Sequence, residues 1–121
     1  MYGNFYSEDI TVPISKLVEA INRLRGGISI KYGRPVPILA HIGDGNMHPH
    51  ILFKQGEEEL AQRMYDEVAR IAIELGGTIS GEHGIGLQKK SLLHEQYLKR
   101  NNIVALNLMR NIKRLIDPPA I

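Results

Sequence analysis

Four of the five histidines lie in two short, glycine-rich stretches of the sequence. Residues 41–50 are HIGDGNMHPH, and residues 81–86 are GEHGIG. Imidazole nitrogens and carboxylates are common ligands of divalent metals, and an imidazole can also act as a general base near neutral pH. These two stretches therefore carry the residue types for metal binding, proton transfer or both.

The first stretch predicts a β-hairpin. Residues 43–46 (GDGN) accept positive φ readily and indicate a tight turn between two strands. His41 then lies near the end of one strand and His48 near the start of the next, where cross-strand Cβ atoms are about 4.5–5.5 Å apart. His50 shares a face with His48, because side chains two apart on a strand point the same way. We therefore expect His41 and His48 to be close enough to bind one metal ion.

The second stretch places a carboxylate and an imidazole, Glu82 and His83, side by side in a loop. Adjacent residues point in different directions, so one can bind a metal while the other contacts a substrate. Two histidines and one carboxylate are a common set for a divalent metal with open positions. Two plainer interpretations stay open. Residues 81–86 could bind phosphate, although the Lys-Ser/Thr of a P-loop does not follow them. Each histidine could also be only a partly buried polar group near a strand end.

The rest of the sequence predicts the strands and helices that position these residues. Strands are predicted over 10–14, 37–42, 47–53 and 78–80. Helices are predicted from Ser15 to an exit at Gly33, with the Gly-Gly pair weakening the end, and over 57–75, 88–98 and 103–116. Ser15 and Asn101 or Asn102 are predicted helix N-caps, while residues 1–9 have no clear period and predict a tail or the remnant of a longer segment. The order β-α-β-β-α-β predicts an α+β fold. Its ferredoxin-like split βαβ antiparallel sheet carries helices on one face, and C-terminal helices follow.

Composition narrows the class of protein. The chain has 121 residues, of which 43% are hydrophobic and 23% charged, which fits one globular domain. Its net charge is only +2, so we expect no nucleic-acid surface. The absence of cysteine excludes disulfides, thiolate metal sites and cysteine nucleophiles, and it agrees with a cytoplasmic location. No apolar run is as long as a transmembrane helix, which needs about 18 residues.

The two histidine stretches also resemble the signatures of a known family. Residues 41–53, and residues 76–86 together with Lys89 or Lys90, are similar to the two signatures of the FAD-linked oxidase C-terminal domain. Residues 8–17 (EDITVPISKL) and 116–118 (IDP) fit as well, so the resemblance runs from about Glu8 to the C-terminus. Within the family the chain most resembles the D-type subunit of glycolate oxidase and D-lactate dehydrogenases, which are flavoenzymes of the vanillyl-alcohol oxidase/PCMH type.

The resemblance implies a role for each matching residue. His41, His48 and Glu82 fall where metal-dependent 2-hydroxy acid dehydrogenases of the family place their ligands. His83 falls where they place the base that faces the flavin. The resemblance further implies that Asn46 lies near the substrate, and that His50 occupies a position that contacts substrate in some relatives.

The resemblance also implies the larger context. Residues 1–121 would be the C-terminal part of the substrate (cap) domain, and the FAD-binding domain would lie outside this chain. The whole enzyme would oxidise glycolate or D-lactate to a 2-oxo acid with FAD, held mainly by that other domain, and a divalent metal such as zinc or manganese. Expected partners are a small 2-hydroxy acid, the FAD-binding domain, other glycolate oxidase subunits and further copies of the chain. The chain alone is expected to be inactive. The alternative is a non-catalytic ferredoxin-like module that dimerises or binds a metal.

Overall fold

The computed structural model describes residues 3–81, 84–85 and 89–117. Its strands are β1 (Asn4–Ser7), β2 (Ile10–Thr11), β3 (Ile38–His41) and β4 (Asn46–Phe53). Its α-helices are α1 (Leu17–Asn22), α2 (Ser29–Tyr32), α3 (Glu58–Glu74), α4 (Lys90–Lys99) and α5 (Ile103–Ile116). Short 3-10 turns cover Ile14–Lys16 and Ile42–Asp44, and wider π turns cover Arg23–Ile28.

The antiparallel sheet is built around β4. β3 pairs with one edge of β4, and β1 and β2 pair one after the other with the opposite edge. Beyond β2, Thr78 forms a single antiparallel bridge with Thr11. The resulting order, residue 78, β2, β4, β3, is that of a split βαβ sheet, so the predicted α+β fold is confirmed.

The fourth predicted strand is reduced to that single bridge. Side-chain hydrogen bonds take over directly after Thr78: its Oγ1 donates to the Ser80 carbonyl at 2.9 Å, and the Ile79 N–H donates to Gln96 Oε1 at 3.0 Å. Because these contacts satisfy the backbone locally, the strand ladder does not continue through residue 80.

Of the two alternatives for residues 1–9, the tail was wrong for residues 4–7, which form β1. Tyr6 faces the core, with its ring centroid 4.7 Å from that of Phe53 and 6.1 Å from that of Tyr65. Phe5 is also aromatic but lies on the other face and is exposed. Two large neighbouring side chains hide the alternation that marks a half-buried strand, so the pattern was not visible in the sequence.

The first helical segment differs from its prediction at its start. Ser15 makes no side-chain cap; the chain instead turns at Pro13, whose carbonyl accepts from the Lys16 N–H at 2.8 Å. The helix continues through the π turns that contain the Gly-Gly pair. It ends at Gly33 as predicted, and the φ of +65° at this residue suits glycine.

The core lies between one face of the sheet and the helices. Met47, Ile51 and Phe53 of β4 form the sheet side of a buried cluster. α3 contributes a predicted apolar stripe and carries Glu58 and Glu59 in its first turn, where the helix dipole favours negative charge. Each fully buried apolar side chain of this kind contributes about 1.5–3 kcal/mol. The helices therefore cover one face of β4 and leave its other face for the polar residues.

The C-terminal helices extend this core. Asn102 caps α5 as predicted, since its Oδ1 accepts from the Ala105 N–H at 3.4 Å. α5 packs against α4 but keeps Val104, Leu108 and Leu115 exposed. Within the part of the chain that the structure describes, no helix has the length and apolar character needed to cross a membrane.

Candidate active site

The hairpin brings His41 and His48 together. His41 lies opposite Asn46 and Leu39 lies opposite His48, so the two histidines are diagonal neighbours on one face of the sheet. Their ring centroids are 5.6 Å apart and their planes are perpendicular. His41 is exposed at the end of β3, whereas His48 is only 6% exposed. The predicted approach of the two rings is confirmed, and their role as metal ligands stays a prediction.

The environment of His48 selects one tautomer of its ring. Nδ1 lies 3.3 Å from the Glu8 carbonyl oxygen and 3.9 Å from Asp9 Oδ1. A carbonyl oxygen can only accept, so this contact favours the neutral tautomer that carries its hydrogen on Nδ1. Metal-binding histidines commonly donate their second N–H to a carbonyl or carboxylate in this way. The orientation of His48 therefore fits a metal ligand.

Asp9 is a buried carboxylate that sequence analysis did not single out. It is 1% exposed. Its Oδ1 accepts from Asn46 Nδ2 at 2.8 Å, and its Oδ2 accepts from the Gly81 N–H at 3.0 Å and from Ser80 Oγ at 3.3 Å. Asp9 therefore connects the first histidine stretch to the beginning of the second.

The amide nitrogen of Asn46 points toward β2. Its Nδ2 also donates to the Ile10 carbonyl at 3.3 Å and to Thr11 Oγ1 at 3.0 Å. Its buried Oδ1 accepts no hydrogen bond from any residue that the structure describes. The acceptor end of Asn46 thus faces away from these partners, which fits the expected position near a substrate.

A second buried pair fixes the other end of the loop. The Lys89 ammonium lies 2.7 Å from Glu8 Oε1, donates to the Asp9 carbonyl at 3.0 Å and also donates to the Ile79 carbonyl. Burial raises the pKa of the Glu8 carboxyl, although the Lys89 charge opposes this shift. Burial and the nearby Glu8 carboxyl raise the pKa of the Tyr65 hydroxyl well above its ordinary value. The loop between Gly81 and Lys89 is therefore anchored at both ends on Glu8 and Asp9.

The predicted ligand Glu82 and the predicted base His83 lie outside the described residues. Their neighbours are described: the Gly84 N–H donates to Ser80 Oγ at 2.8 Å, and a Cβ at position 81 would collide with Asn46 Nδ2. The second stretch therefore begins in direct contact with the residue that lies between His41 and His48. Over residues 3–81, 84–85 and 89–117, no three His, Asp or Glu side chains form a group that could hold a metal ion.

His50 lies further along the same face and stacks on Phe5. The two ring centroids are 5.2 Å apart and the rings are 10° from parallel. Leu39 and Ile42 are exposed on the hairpin that carries His41. Phe5 was missed because residues 1–9 were predicted as a tail. Substrate contact by His50 stays a prediction.

The chain belongs to the FAD linked oxidases, C-terminal domain, whose family model matches residues 2–121. The resemblance seen in the sequence is therefore confirmed, and the chain is a domain of FAD-linked oxidoreductases.

Three curated relatives are similar to the chain. It is 40% identical over 117 residues to the glycolate oxidase subunit GlcD of Bacillus subtilis, covering 92% of this chain and 23% of that protein. It is 36% identical over 116 residues to a probable mitochondrial D-lactate dehydrogenase of Danio rerio (93% and 22%). It is 32% identical over 124 residues to a probable mitochondrial D-2-hydroxyglutarate dehydrogenase of Oryza sativa subsp. indica (98% and 20%). The chain thus spans about a fifth of the length of these relatives.

Proposed function

We propose that this chain is the C-terminal part of the substrate domain of a flavin-dependent 2-hydroxy acid oxidoreductase. The substrate would be a small 2-hydroxy acid such as glycolate or D-lactate, and the product the corresponding 2-oxo acid. The family and the names of the relatives support this class of reaction. The observation that carries the proposal is the His41–His48 pair, joined through Asn46 and Asp9 to the residue that precedes Glu82.

His41, His48 and Glu82 would hold a divalent metal such as zinc or manganese. The contact of His48 Nδ1 with the Glu8 carbonyl supports this role, because metal-binding histidines commonly orient their rings through such a contact of the second ring nitrogen. A bound divalent metal lowers the pKa of a coordinated hydroxyl group. The metal and the substrate would therefore meet on the face of β4 that the helices leave uncovered.

His83 would accept the proton of the substrate hydroxyl, as an imidazole can near neutral pH. Asn46 Oδ1 and His50 would contact the substrate from β4. FAD, when bound, supplies the acceptor for the hydride that leaves the substrate carbon. The exposed apolar side chains Phe5 and Leu39, on the same face as the histidines, suit contact with an aromatic cofactor ring.

The proposed partners are the FAD-binding domain of the same enzyme, other glycolate oxidase subunits and further copies of the chain. The exposed apolar residues of α5, among them Val104, Leu108 and Ile112, support an association of this kind. A cytoplasmic location stays a prediction from the cysteine-free composition, since the names of the Danio and Oryza relatives assign them to mitochondria.

Metal titration of the chain tests the ligand assignment. We expect Mn²⁺ or Zn²⁺ binding in calorimetry, with His41→Ala and His48→Ala each lowering the affinity by about tenfold or more. Binding should also weaken as the pH falls, because a protonated imidazole cannot bind a metal. His94→Ala is the matched control, since His94 lies on α4 beside Arg110 and should leave the affinity unchanged. Equal affinities for all four proteins would contradict the assignment.

Kinetics of an enzyme that joins this chain to its FAD-binding domain test the base. His83→Ala should lower kcat by about 10²–10⁴-fold, the usual contribution of a general base. Near-normal turnover of this variant would reject that role for His83.

A further inference from the structure

We propose that Asp9 is a positioning residue whose buried carboxylate holds the His48 ring and the start of the Gly81 loop in one fixed arrangement. The proposal deepens the proposed function, because it concerns the same site and rests on that function for the purpose of the arrangement. Asp9 would touch neither metal nor substrate. It would act through the residues that do.

The strand register accounts for the position of Asp9. Ser7 lies opposite His50 and Ile10 lies opposite Met47, so β1 and β2 pair with β4 in one continuous register. This register puts Asp9 opposite His48, on the face of the sheet that carries the site. It puts Glu8 opposite Pro49, which has no N–H to donate, so the ladder is interrupted there.

The donors around Asp9 come from separate parts of the chain. Asn46 lies 37 residues away in the sequence and Gly81 lies 72 residues away, yet both donate to the same carboxylate. A buried carboxylate is costly unless its oxygens are hydrogen-bonded. Its oxygens can accept all these bonds only while β4 and the loop keep their relative positions, so Asp9 couples the two histidine stretches.

Glu8 provides the comparison that separates this role from simple stabilisation. Its side chain pairs with Lys89 and so anchors the far end of the loop, whereas Asp9 lies beside the His48 ring. Both carboxylates are buried and adjacent in the sequence. If Asp9 is only structural, Asp9→Asn and Glu8→Gln should affect His48 alike.

The test is NMR on the metal-free, ¹⁵N-labelled chain at pH 8. In the wild type we expect the hydrogen of the His48 ring on Nδ1 and a Gly81 amide that is protected from hydrogen exchange. Asp9→Asn should move the tautomer equilibrium toward Nε2–H, because the negative charge 3.9 Å from Nδ1 is lost while the Glu8 carbonyl contact remains. It should also speed Gly81 exchange by about tenfold or more, as loss of a hydrogen bond to a charged acceptor predicts. Glu8→Gln should leave the His48 tautomer unchanged.

Two results would overturn the proposal: a wild-type His48 with its hydrogen on Nε2, or an Asp9→Asn variant with unchanged tautomer and exchange. If the variant does not fold, the wild-type Gly81 amide decides the matter: exchange as fast as that of an unprotected glycine would overturn the proposal, because this amide donates to Asp9 Oδ2. In a Mn²⁺ titration, we expect Asp9→Asn to lower the affinity by about 10–100-fold. A wild-type chain that binds no Mn²⁺, together with the expected tautomer and exchange changes in Asp9→Asn, would contradict the metal assignment and leave the positioning role supported.

Discussion

The two faces of β4 are buried to a similar extent by different means. On one face Met47 and Ile51 are fully buried among apolar side chains. On the other face Asn46 and His48 are each 6% exposed, but their contacts are hydrogen bonds and a nearby carboxylate. The apolar face needs only the right volume and hydrophobicity, whereas the polar face needs particular atoms from distant segments. Stability should therefore depend mainly on the first face and metal binding on the second.

Ile51→Ala should give the largest change in stability. Removing a fully buried isoleucine side chain costs about 2–5 kcal/mol of unfolding free energy, because apolar burial is lost and a cavity remains. Urea denaturation followed by circular dichroism measures this loss. Since Ile51 lies on the core face, Mn²⁺ affinity of the folded variant should equal that of the wild type. A large loss of affinity would show that the two faces are not independent.

Gly81→Ala should act on the polar face. The added Cβ would collide with Asn46 Nδ2 and Thr11 Oγ1, so we expect a loss of about 1–3 kcal/mol from overpacking, together with weaker metal binding.

Gly43→Ala is the matched control for this substitution. A Cβ at position 43 would have no atom of a described residue within 4 Å, and the φ of Gly43 is not positive. The unfolding free energy of Gly43→Ala should therefore stay within about 0.5 kcal/mol of that of the wild type. Equal stability and affinity for the two variants would mean that Gly81 does not pack against Asn46 in solution.

Sequence patterns predicted the local parts of this comparison and missed the distant ones. The GDGN turn and the alternation along residues 47–53 were enough to predict the hairpin and the approach of His41 to His48. The apolar stripe of α3 likewise follows from helical spacing alone. Asp9 could not be found in this way, because its partners are 37 and 72 residues away and only the strand register puts it opposite His48. The reduced fourth strand depends on Gln96, another distant partner.

The far end of β4 offers a pH-dependent test that leaves the site untouched. Arg34 donates to the Leu52 carbonyl at 3.1 Å and to both carboxylate oxygens of Glu57, and this hydrogen bonding lowers the pKa of Glu57 from 4.5 to about 2. A carboxyl whose folded pKa is lowered stabilises the protein above about pH 4.5 and loses that contribution as the pH falls toward 2.

Glu57→Gln should therefore show a smaller fall in stability than the wild type between pH 4.5 and 2, in urea midpoints measured across that range. The difference should be modest, because solvent screens ion pairs near the surface. Glu59→Gln removes a carboxylate from the same helical turn and serves as the control. Parallel pH profiles for the wild type and Glu57→Gln would contradict the contribution of the Arg34 pair.

Phe5→Leu should give the smallest change, at the outer edge of the polar face. Phe5 is 58% exposed, so losing its stack on His50 should cost at most about 0.5–1.5 kcal/mol, the usual range for an aromatic pair. The sharper measurement is the chemical shift of the His50 ring protons. A parallel ring 5.2 Å away shifts these protons, and leucine keeps the apolar contact but has no ring. The His50 signals should therefore move in Phe5→Leu while those of His48, which lies beside Asp9, stay in place. Unchanged His50 signals would mean that β1 does not hold Phe5 against the polar face, and that the site ends at His48.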